Sequence, residues 1–188
     1  MVRNFETTPV APELVDRLLD LARRAPSAGY SQGVDFVVLE GEDQTSRFWS
    51  VTLPEEDRAA FPWPGLLAAP VLVLPMNDEA AYRRRYREPD KAAAGLGDGP
   101  WPVPYWHIDA AMATMTLLLG AVDAGLGALF FGIFRDEHVL LERLGVPEGV
   151  VPIGAVALGY PAGTERKSGS LARGRRPFGE VVHRGGWG

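Results

Sequence analysis

The stretch from His107 to Ala124, "HIDAAMATMTLLLGAVDA", constrains the fold more than any other part of the chain. No proline interrupts it, and from Ala110 onward it is apolar on nearly every side. A helix of that kind offers water no face, so it must be buried in a core or against another subunit. Its uncharged run, Ala110 to Val122, is too short to cross a bilayer. Gly125-Leu126-Gly127 ends it.

The remaining elements fall around this helix. Pro12 to Arg24 carries Leu14, Val15, Leu18, Leu19, Leu21 and Ala22 at helical spacing, with charged residues between them. Phe36–Leu39 and Val71–Leu74 are short β-branched and aliphatic runs bounded by Gly or Pro, which predicts strands, the second of them fully buried. Tyr82 to Tyr86 has helical character. Gly95 to Trp106, "GLGDGPWPVPYW", holds too many breakers for a regular element. Leu129–Phe134 and Val151–Leu158 are further strand-like runs, separated by a short helix over Glu137–Leu144. After Tyr160 the tail is polar and basic, with Arg166, Lys167, Arg173, Arg175 and Arg176. Alternating helices and strands without a linker predict one domain over residues 1–188, of α+β or α/β class.

Composition removes several functions. The 188-residue chain has no cysteine, which excludes thiolate catalysis, disulfides and cysteine-based metal sites. His107, His138 and His183 are too scattered to suggest a metal cage. A net charge of −5 disfavours nucleic acid as a partner. With no apolar core in the opening "MVRNFETTPV" and no membrane span, a soluble cytoplasmic protein is expected.

"GYSQG", residues 29–33, matches the G-x-S-x-G pattern of a hydrolase nucleophile elbow. That motif needs a strand before the serine and a helix after it. Here the helix comes first and the strand second. Ser31 therefore belongs to a helix-to-strand turn and is not a nucleophile.

Three segments together resemble the nitroreductase family of FMN-dependent oxidoreductases. They are "VRNFETTPV" with "RAPSAGYSQGVDFVVL", "DAAMATMTLLLGAVDAGLGALFFGIF", and "VPIGAVALGYP" with "ARGRRPFGEVVH". The resemblance implies an α+β, three-layer fold, with a mainly antiparallel central sheet flanked by helices, in an intertwined homodimer. It implies that NADPH or NADH reduces bound FMN and leaves, after which an electron-poor aromatic or quinone-like acceptor takes its place in a ping-pong cycle. The flavin carries that chemistry, so the protein needs to bind and orient it.

By the same resemblance, Arg3, Arg173 and Arg175 hold the phosphate. Pro26, Ser27, Ala28, Tyr30 and Gln32 line the ring and ribityl edge, and Phe130, Phe131 and Gly132 run along the face bearing N5. Tyr82, Trp101, Tyr105 and Trp106 are the expected substrate contacts, the last three in an aromatic loop that is either ordinary packing or a lid over the flavin.

The chain departs from the family pattern at three points. Tyr30 replaces an asparagine, and Gly33-Val34 replaces Pro-Trp. Met1 falls where the family has a serine, so either the start lies upstream or the phosphate has fewer contacts. These departures leave room for specialised flavin breakdown or dehalogenation, or for a non-catalytic flavin scaffold. "YRRRYREPDK", residues 82–91, is read as a solvated charged face, with an electropositive lip for the donor as the alternative. Asp109 is expected to cap its own helix, and Met112 and Met115 to fill the core.

Overall fold

The computed structural model describes residues 1–163 and 168–187. Arg166 and Lys167 of the basic tail lie outside the described residues. Among the described residues five strands form one antiparallel sheet: β1 (Val34–Glu40), β2 (Val71–Asp78), β3 (Gly127–Phe131), β4 (Val150–Pro152) and β5 (Ala155–Gly159). The order is β1-β2-β5-β3, with β4 also paired to β2.

Helices cover both faces of the sheet. They are α1 (Pro12–Ala22), α2 (Gly41–Thr52), α3 (Glu55–Arg58), α4 (Glu79–Tyr86), α5 (Tyr105–Asp123) and α6 (Glu137–Arg143). Alternation along the central strands divides the core in two. Leu72, Leu74, Met76, Ala155 and Ala157 pack toward Phe48 and Trp49 of α2 and Leu140 of α6. Val71, Val73, Val156 and Leu158 pack toward α1 and α5. This is the expected α+β, three-layer arrangement.

The long apolar helix is only half covered within one chain. Ala110, Ala113, Leu117 and Ala121 are buried, whereas Ile108, Met115, Leu119 and Val122 are exposed. Small inward residues let α5 lie close to its neighbours, and Gly120 leaves room for Leu18 and Leu21 of α1, whose methyls would sit 3.0 Å from an added Cβ. Met115 is thus a surface residue, and the expectation that it fills the core is corrected.

β1 extends beyond the expected Phe36–Leu39 at both ends, and β3 is corrected from the expected Leu129–Phe134 to Gly127–Phe131. The other two expected strands differ for clear reasons. β2 runs on through Pro75 to Asp78 because its partner changes there, from β5 at Val71–Val73 to β4 at Met76–Asp78. The missing N–H of Pro75 falls at that switch, where no ladder bond is lost. The expected strand Val151–Leu158 is two strands, broken at Gly154 with φ 144°. A Cβ there would lie 2.6 Å from the Phe131 carbonyl oxygen. Among the described residues no helix is long and apolar enough to cross a membrane.

Candidate functional site

The expected site residues form two groups plus a tail. Three antiparallel pairings separate β1 from β3, so the start of β1 and the end of β3 face the same end of the sheet. They lie at opposite edges, roughly 14 Å apart at ordinary strand spacing.

The first group surrounds a cleft of about 340 Å³ at the end of β3. Arg3, Phe130, Phe131 and Gly132 line it together with Trp49 and Trp63. The N-terminal segment is tied there by the Val2 amide, which donates to the Ala128 carbonyl at 3.0 Å, and by a bridge between Phe5 and Pro161. The Arg3 guanidinium lies 5.0 Å from the centre of the Trp63 ring, an attractive arrangement of cation and π face. Phe131 stacks parallel to Trp49, 5.8 Å away. The Trp49 indole N–H is buried without a hydrogen-bond partner among the described residues. Helix α2 and the segment through Trp63, which form one wall, were not anticipated from the sequence.

The second group is the turn Pro26–Gln32, held between α4 and α5. Gly29, Tyr30 and Gln32 have φ of 62°, 58° and 51°, so the backbone is left-handed at three of four successive positions. Gly29 suits this freedom, and a Cβ there would meet the Tyr86 ring at 2.6 Å. The turn also closes on itself. Gln32 N–H donates to Ser27 Oγ at 2.8 Å, and the Ser31 hydroxyl donates to the Ala28 carbonyl at 2.7 Å. With helix before and strand after, Ser31 is a turn residue. Tyr30 projects its ring into solvent, 73% exposed.

Beneath the turn, Asp109 does not cap its own helix. Its buried carboxylate oxygen Oδ2 accepts the Ala28 N–H at 2.7 Å and the Tyr82 hydroxyl at 2.7 Å. Tyr82 has no exposed surface, so the expected direct substrate contact is corrected to a supporting one. Burial, then the bond to Asp109, push the Tyr82 phenol well above its ordinary range, and it stays a donor at neutral pH.

The aromatic loop packs over this centre. The Trp101 indole donates to the Leu96 carbonyl at 2.8 Å, and its ring meets Tyr86 edge-on at 4.7 Å. Tyr105 and Trp106, expected in the loop, stand instead in the first turn of α5, where Trp106 is buried and Tyr105 is 40% exposed. Trp106 is therefore a scaffold residue, and of the four expected substrate contacts Tyr105 is the one most open to solvent.

The arginines on and just after α4 are paired locally. Arg83 pairs with Glu79, Arg84 with Asp78, Arg85 with Glu88 and Asp90, and Arg87 with Asp98. The Arg85 guanidinium holds the Asp90 carboxyl down at about 2. This favours the solvated-face reading over an electropositive lip. Arg173 and Arg175 lie exposed on the tail and are not among the residues lining the cleft.

Residues 1–160 match the nitroreductase family model. An FMN reductase [NAD(P)H] of Bacillus subtilis is 25% identical over 171 residues, covering 90% of this chain and 66% of the relative. An NADPH-dependent oxidoreductase of Staphylococcus aureus is 25% identical over 186 residues, covering 97% of this chain and 68% of the relative. The chain thus spans about two thirds of the length of these two relatives. The solved structure of NfrA1 from B. megaterium superposes with a TM-score of 0.76 at 20% identity, over 100% of this chain and 71% of that one. On the family match and the shared fold, the chain belongs to the nitroreductase family.

Proposed function

We propose that the chain is an FMN-dependent oxidoreductase that passes electrons from NADPH or NADH to an electron-poor aromatic or quinone-like acceptor. The observation that carries this reading is the cleft at the end of β3, where a guanidinium meets an aromatic wall and close-approaching backbone. Those groups fit a flavin in kind: a cation for phosphate, apolar surface for a flat ring, and peptide groups for its polar edge. A bound FMN would supply hydride transfer, with donor and acceptor using the same place in turn.

In this reading Arg3, Phe130, Phe131 and Gly132 supply one half of the site. Pro26, Ser27, Ala28, Tyr30 and Gln32 supply the other half. Arg173 and Arg175 reach the phosphate from the tail, and Trp101 and Tyr105 border the acceptor. Residues 1–188 act as one domain, and a homodimer completes the site. The separation of the two groups and the exposed apolar face of α5 support that arrangement.

The test is spectroscopic. Purified protein supplied with FMN should be yellow, should bleach with NADPH or NADH under anaerobic conditions, and should recover its colour when a quinone or nitroaromatic is added. A protein that remains colourless with excess FMN overturns the proposal.

A further inference from the structure

The turn Pro26–Gln32 is left-handed at three positions and hangs between elements distant in sequence. Left-handed backbone at non-glycine residues persists only where surrounding contacts over-determine it. Two charged side chains supply such contacts on adjacent residues. Asp109 Oδ2 takes the Ala28 N–H at 2.7 Å from the α5 side. Arg85 Nε donates to the Gly29 carbonyl at 2.9 Å from the α4 side. The Tyr86 ring closes the space under Gly29, so the peptide groups cannot sink toward the helices. Asp109 is 2% exposed, and Oδ2 receives both Ala28 and Tyr82, which leaves the carboxylate little freedom to rotate.

We propose that Asp109 and Arg85 are positioning residues which, from opposite sides, fix the turn in the one pose that meets the flavin edge. This rests on the reading above that the turn contacts FMN. Neither side chain takes part in electron transfer. Asp109 acts by accepting hydrogen bonds through a single oxygen, a role that an asparagine amide oxygen can fill. Arg85 acts by donating to a carbonyl that a left-handed residue presents outward. Both therefore change how tightly a flavin is held while leaving the core of the sheet untouched.

The experiment measures FMN affinity of the flavin-free, full-length protein by quenching of flavin fluorescence, with urea unfolding and amide exchange on the same samples. D109A and R85M are expected to weaken FMN binding at least tenfold. D109N is expected to stay within threefold of the parent. In D109A the Ala28 amide should exchange at least tenfold faster, while amides in the middle of α5 keep their rates. Should D109A fail to fold, R85M carries the test, because the Arg85 side chain is 21% exposed and lies outside the core. A purely structural role would lower the urea midpoint and leave the affinity of the folded protein unchanged, and that result overturns the proposal. D109N as weak as D109A overturns the assignment to hydrogen-bond acceptance. A parent protein that takes up no FMN overturns both this proposal and the functional reading beneath it. Tight binding by the parent, D109A and R85M alike overturns this one alone.

Discussion

Tyr30 holds a bulky side chain at φ 58° with most of its ring in water. An L-residue in that conformation carries about 1 kcal/mol of strain, and asparagine tolerates it better. Tyr30→Asn should therefore stabilise the protein by about 0.5–1 kcal/mol, read as a higher urea midpoint with an unchanged slope. A lower midpoint would mean that the ring makes a stabilising contact in the assembled protein. That tyrosine stands in the turn was plain from the sequence, as was its departure from the family's amide. That Asp109 reaches Ala28, 81 positions away, was not. Aspartate near a helix start has a local reading as a cap, and nothing in the neighbouring residues reveals a partner so distant. The buried phenol of Tyr82 escaped notice for the same reason. Its tyrosine-and-arginine surroundings read as a surface, because only the tertiary fold turns that one ring inward.

At the scale of elements, the break between β4 and β5 sets the shape of the cleft wall. Gly154 passes so close to Phe131 that a methyl group would press on the carbonyl oxygen and on the Phe130 ring at 2.8 Å. Gly154→Ala should cost about 2–4 kcal/mol through left-handed strain and overpacking, measured by urea unfolding. Little or no loss would show that the wall yields easily. Most elements were legible because periodicity and breakers marked them: α1, β1, the start of β2, α5 and α6. Gly154 was legible only as one glycine within an apolar run, so the run read as a single strand. Helix α2 was not legible. Its "GEDQTSRFWSVT" opens on a left-handed glycine and carries acids in the first turn, but its core residues Phe48, Trp49 and Val51 make too short a stripe to stand out. Since Phe48, Trp49 and Thr52 of α2 line the cleft, that part of its wall stayed hidden until the chain was folded.

For the whole molecule, the open face of α5 sets the decisive expectation. Ile108, Met115, Leu119 and Val122 form an apolar stripe whose exposure to water is costly. If the proposed homodimer closes through this face, Leu119→Glu should turn it into a monomer in sedimentation and reduce FMN affinity at least tenfold, since each half of the site would lose its complement. A dimer that survives the substitution would place the interface elsewhere. The all-round apolar pattern of this helix allowed either a core or a second subunit, and the fold divides the helix between one buried face and one open one. The paired arginines of α4 have a further consequence, for kinetics. Each positive charge there sits beside its own carboxylate, so the fields cancel within a few ångströms and project little into solution. The α4 arginines should therefore add little to the approach of an anionic dinucleotide. Replacing one pair by neutral counterparts, R84Q with D78N, should change kcat/KM for NADPH by less than about twofold even at about 20 mM salt, where screening is weakest. The donor would then be met without steering from this face of the molecule.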